Sequence, residues 1–135
     1  MEMRSHALAQ TSVLLDRMAF RANRAAKPPN EDSIHELRVA TRRFTQSLRV
    51  FGQFLPATRS KKVRRQLQQI LDLTSEIRDR DITMKLCLEA GIASDANLLA
   101  RLREQRKELE RELVGRLAQL GERNFSRKWR KRLGL

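Results

Sequence analysis

Cysteine is almost missing from this chain: Cys87 is the single one, and only two histidines, His6 and His35, accompany it. One thiol cannot close a disulfide within the chain, and the set is too small for a Cys/His zinc site. Aromatic residues are also scarce, with five Phe, one Trp and no Tyr. Proteins that grip single-stranded nucleic acid stack bases on aromatic platforms, so this scarcity counts against that mode of binding. There is no phosphate-cradling Gly-rich loop, and Asp79 and Asp81 are the only suggestive pair of carboxylates. Phosphoryl transfer normally needs such a loop or metal-binding carboxylates, so no catalytic activity, cofactor or metal is expected. No apolar run approaches the ~20 residues that span a bilayer. The opening segment Met1–His6 lacks the apolar core of a signal peptide, and a cytoplasmic location is the expectation.

Negative charge is the last shortage. Asp and Glu number 16 against 29 Lys and Arg, a net charge of +13 on 135 residues. That surplus opposes compaction by self-repulsion, and its usual reason is a polyanionic partner: nucleic acid, an acidic surface or a phosphate polymer. Arg outnumbers Lys. The planar guanidinium fork matches phosphate oxygens, whereas an ammonium offers a point charge.

Prolines occur only at Pro28, Pro29 and Pro56, and the first glycine is Gly52. Between these breaks the apolar spacing is helical, with no strand-like alternation. Leu8, Leu15, Met18, Ala22 and Ala25 predict a first helix over 5–26. A second starts between Asn30 and Ser33, with Ser33 and Glu36 as a capping box, and runs to about Phe54. A third begins near Thr58 and carries Val63, Leu67, Ile70, Thr74 and Ile77. The run Arg78-Asp79-Arg80-Asp81 either kinks this helix or opens a fourth, which stops at Gly91. Leu98, Leu102, Leu109, Leu113, Leu117 and Leu120 predict the last helix, from Ser94 to Gly121. The fold class is therefore all-α, an up-and-down bundle of four to five helices. Residues 1–121 form the bundle, and 122–135 are read as a basic C-terminal tail, tethered if at all by Trp129.

The second helix carries the most information. Leu37, Thr41, Phe44, Leu48, Phe51 and Leu55 share one face at 3.6 residues per turn and should pack inward. His35, Arg38, Arg42 and Arg49 fall on another, in a row roughly 21 Å long, with Thr45 or Gln46 at the missing step. A charge run on a helix is ordinarily a solvated face. Such faces usually mix signs at i,i+4, however, and this row is almost purely positive. Arg43 lies off the row by roughly 100°.

His35-x-x-Arg38-x-x-x-Arg42-Arg43, followed by Arg49 and Phe51, resembles the signature of the CHAD family, the conserved histidine α-helical domain. Arg78-Asp79-x-Asp81-Ile82 resembles that family's second signature. The resemblance runs from about Ser5 to Gly121. It implies a helical bundle with a basic surface that binds inorganic polyphosphate, often at polyphosphate granules. Its contacts would be His35, Arg38, Arg42, Arg49 and Arg78, with Arg43 as a weaker contact or a packing residue. Asp79 and Asp81 would cap a helix or orient neighbouring arginines, since carboxylates repel phosphate. Family members often carry a basic residue where Thr45 stands. The family domain is also about twice this length, two four-helix halves facing across a basic groove, and this chain resembles one half. A homodimer would supply the other half; otherwise the chain is a fragment of a longer domain. Lys61 and Arg65, one turn apart on helix three, would widen the basic patch. The alternative function is non-specific binding of a nucleic-acid backbone through counterion release.

Overall fold

A computed structural model describes residues 2–120 and 125–135. The order is α1 (Met3–Ala25), α2 (Glu31–Val50), a 3₁₀ turn (Gly52–Phe54), α3 (Ala57–Glu89), α4 (Asn97–Gln119) and α5 (Phe125–Leu133). The described residues are all helix and connection, as expected for an all-α bundle. The most extensive packing runs between α1 and α2, α2 and α3, and α3 and α4, so these consecutive helices lie side by side, and α5 packs on α1 and α3.

Local chemistry places the breaks. Pro28-Pro29 separates α1 from α2, and Asn30 caps α2. The Asn30 Oδ1 accepts from the Ser33 amide at 2.8 Å, and the Ser33 Oγ accepts from the Asn30 amide at 2.9 Å. This replaces the expected Ser33–Glu36 box; Glu36 instead reaches α1, where Arg21 donates to it at 2.7 Å. The second helix ends at Val50 because the chain tightens into the 3₁₀ turn before Pro56. At the end of α3, Gly91 sits at φ 87°, the left-handed conformation in which a side chain is strained. Its amide and that of Ile92 bond back to Leu88 and Cys87, a Schellman closure.

The α3 helix is continuous over 33 residues, roughly 50 Å. The kink or break expected at Arg78–Asp81 does not occur. No Gly or Pro interrupts 57–90, and the charged run points its side chains outward and toward α4 while Ile77 stays in the core. Asp79 and Asp81 consequently cap nothing.

The core is built from the predicted faces. Leu15, Met18, Ala22 and Ala25 of α1 meet Leu37, Phe44 and Leu48 of α2 and Val63, Leu67, Ile70 and Ile77 of α3. On α4 the seam starts at Leu99 rather than Leu98, which is exposed, and continues through Leu113 and Leu117. The region read as a basic tail differs most. Phe125, Trp129 and Leu133, one turn apart, are buried in the same core. Trp129 stacks on Phe44 at 6.1 Å and takes Phe125 edge-on at 5.2 Å. Arg130 binds Asp16 of α1 at 2.5 Å and also donates to Ser12. Phe125–Leu133 is therefore the fifth helix of the bundle, with Arg127, Lys128, Lys131 and Arg132 turned outward. The expected boundary at 121–122 lies outside the described residues.

Candidate functional site: a basic groove between α2 and α3

The inward face of α2 fixes what its other face can do. Leu37, Thr41, Phe44 and Leu48 are fully or almost fully buried, so the helix cannot rotate. His35, Arg42 and Arg49 are exposed beside the antiparallel α3, and Arg38 is half-buried between the two helices. Thr45 does not continue the row. It is buried, and its hydroxyl donates to the Thr41 carbonyl at 2.8 Å, which leaves one turn of the stripe without a charge.

Arg38 is anchored to α3. Its Nη1 donates to the Leu71 carbonyl at 3.1 Å and to the Ser75 hydroxyl. Burial, then the neighbouring charges of Arg42 and Arg78, hold its guanidinium below the ordinary arginine value, with Asp79 acting in the opposite sense. Arg38 is therefore close enough to Arg42 and to Arg78 to be repelled by both. Across the same groove, Arg78 Nη1 lies 3.4 Å from His35 Nδ1. The two signatures, separated by 43 positions in the chain, thus meet at one place.

The carboxylates are distributed unevenly. Asp81 faces α4, where Arg106 Nε donates to it at 2.5 Å and Nη2 at 3.4 Å; Arg106 also pairs with Glu110. Burial opposes the charge on Arg106, but the bonds and charges of Asp81 and then Glu110 outweigh it and hold the group above its ordinary value. Asp81 thus has its charge matched within the bundle and orients Arg106. Glu31 and Asp32, in the first turn of α2, and Asp81 line a hollow of about 240 Å³ together with His35, Arg38, Arg78 and Lys85. The groove is mixed in sign at its His35 end. At its other end it is purely basic: Arg49 shares a smaller hollow with Arg64, Ser60 and the start of α3.

Arg64, which is not among the contacts expected from the sequence, lines the groove beside Arg49. The Arg64 Nε is buried without a hydrogen-bond partner among the described residues. The signal was present, because Arg64, Leu71, Ser75 and Arg78 repeat at intervals of seven, four and three and so share one face of α3. Lys61 and Arg65 are exposed on α3, but it is Arg64 that lines the hollow beside Arg49. Arg43 is exposed on the opposite flank of α2, facing α1. No cluster of three or more His, Cys, Asp or Glu that could hold a metal ion occurs among the described residues, and no helix there is long and apolar enough to cross a membrane.

A family model described as the CHAD domain matches residues 10–134. The chain belongs to the CHAD family. The match takes in α5, in keeping with Trp129 and Leu133 completing the core. No curated protein and no solved structure matches the chain. Within this CHAD domain both signatures contribute to one groove, the first through α2 and the second through Arg78 on α3.

Proposed function

We propose that this CHAD protein binds inorganic polyphosphate non-catalytically in the α2/α3 groove. His35, Arg38, Arg42 and Arg49 contact the polymer from α2, and Arg78 and Arg64 contact it from α3. Lys61 and Arg65 extend the positive field. The observation that carries the reading is the convergence of His35, Arg38 and Arg78, where the one carboxylate contributed by the second signature to the hollow, Asp81, is already paired with Arg106. Among the described residues none of Arg42, Arg49, Arg64 and Arg78 forms an ion pair. Closely set guanidiniums without counter-ions are stabilised when a polyanion lies against them, and charge-assisted bonds to phosphate are the strong class. The general link of the CHAD family to polyphosphate supports the same choice of polymer.

A second copy related by a two-fold axis faces this groove and encloses the polymer, which makes the working unit a homodimer in the cytoplasm, at polyphosphate granules. The test is the double variant Arg42→Glu/Arg49→Glu. Both side chains are exposed, so helicity by circular dichroism should be unchanged. Polyphosphate affinity should fall on the order of 100-fold, as expected for two charge-assisted contacts. Undiminished binding would remove the groove as the site.

A further inference from the structure

A second hollow lies apart from the basic groove. A cavity of about 500 Å³ lies on the other flank of α2, against α1. Its floor is apolar, formed by Leu14, Val39 and Ala40, and Phe20, Arg17 and Arg43 stand around it. Its volume falls in the range of about 300–1,000 Å³ typical of small-molecule sites.

The charges around it are not in balance. Of its two carboxylates, Glu36 is paired with Arg21 at 2.7 Å and Asp16 with Arg130 at 2.5 Å. Arg17 and Arg43 have neither an ion pair nor a side-chain hydrogen bond among the described residues. Arg17 precedes Arg21 by one turn. Arg43 follows Glu36 by seven residues, hence on the same face of α2 and roughly 10 Å further along. The pair Arg21–Glu36 ties the two helices together, so Arg17 and Arg43 stand at the same end of the cavity.

Phe20 is 56% exposed, an unusual position for one of so few aromatic rings. The guanidinium carbons of Arg21 and Arg24 lie 5.4 and 5.8 Å from its ring centroid. These cation–π contacts hold the ring at the surface, about one turn from Arg17. A bare phosphate would leave Phe20 and the apolar floor in water, and an uncharged ring would leave both guanidiniums unanswered. A flat aromatic group joined to phosphate satisfies both.

We propose that the α1/α2 cavity is a separate site for a nucleotide, with the base on Phe20 and the phosphates on Arg17 and Arg43. It touches the polyphosphate groove only at His35, which borders both hollows, and it does not depend on the polyphosphate reading. The experiment is fluorescence anisotropy of etheno-ADP on the full chain, with ADP and inorganic pyrophosphate as competitors. ADP should compete better than pyrophosphate. Phe20→Ala should weaken ADP about tenfold, the scale of one lost stacking contact, while long-chain polyphosphate binding stays unchanged. Arg43→Gln should weaken ADP more than Arg42→Gln does. Equal competition by ADP and pyrophosphate, together with indifference to Phe20→Ala, would overturn the site. So would a Phe20→Ala chain that sediments as a monomer where the parent is a dimer, since a second copy would then cover this face.

Discussion

Arg78 Nη1 and His35 Nδ1 face each other at 3.4 Å across the α2/α3 groove. Neither side chain has another hydrogen-bonding partner among the described residues, so each is free to turn toward an incoming anion. If they bind one phosphate group together, their substitutions are not additive. His35→Ala and Arg78→Ala should each weaken polyphosphate binding, and the double variant should lose less than the sum of the two. A double-mutant cycle by calorimetry measures this; strict additivity would mean that the two act on separate parts of the polymer.

Arg38 differs from the rest of the stripe because it is also structural. Replacing it with Ala removes its bonds to the Leu71 carbonyl and the Ser75 hydroxyl. Stability in urea should drop by about 1.5–3 kcal/mol, the range for bonds made by a charged donor. Arg42→Ala, at an exposed position, should leave the unfolding midpoint within about 0.5 kcal/mol of the parent while still reducing affinity.

The acidic end of the groove gives a prediction of opposite sign. Glu31 and Asp32 lie beside His35, Arg38 and Arg78. Glu31→Gln/Asp32→Asn removes repulsion from the phosphate chain and should tighten polyphosphate binding at low salt. The same change weakens the favourable interaction with the N-terminus of α2 and should cost about 0.3–1 kcal/mol of stability for each charge removed. Binding assays and urea melts on one variant separate the two effects.

The C-terminal helix should behave as core. Trp129→Ala removes the ring packed between Phe44 and Phe125 and should destabilise the fold by about 3–5 kcal/mol in denaturant unfolding. Lys131→Ala, on the exposed side of the same helix, should change stability by less than about 0.5 kcal/mol.

The parts of this fold that could be read in the sequence were those with several repeats of one spacing. The buried face of α2 and the core of α3 recur over many turns, and proline or glycine marks their limits. The failures have local causes. In α5 only Phe125, Trp129 and Leu133 carry the pattern, and the Arg and Lys between them read as a solvated tail until the core is seen to need those three side chains. On α4, Arg106 occupies a seam position between Leu102 and Leu109, because its partner Asp81 on α3 neutralises it there; periodicity of apolar residues passes over such a pair. The Arg78–Asp81 run looked like a break because dense charge often marks one, but all four residues are compatible with helix.

The site was legible to a similar degree. The row on α2 and the second signature could be found by spacing and by resemblance, but their meeting at His35 and Arg78 depends on the antiparallel register of α2 and α3. The spacing of Arg64 from Arg78 places it on the same face, whereas Lys61 and Arg65 stand out in the sequence only by being one turn apart from each other. The α1/α2 cavity depends on how two helices pack and left no pattern in either one alone.

The most direct measurement is binding of long-chain polyphosphate and double-stranded DNA, compared at equal phosphate concentration across a range of ionic strength. A groove that fits a phosphate chain should bind polyphosphate more tightly and retain it at salt concentrations that release DNA, with the difference lost in Arg42→Glu/Arg49→Glu. Equal affinities that collapse together as salt rises would contradict the account, because a net charge of +13 alone would then explain all of the binding.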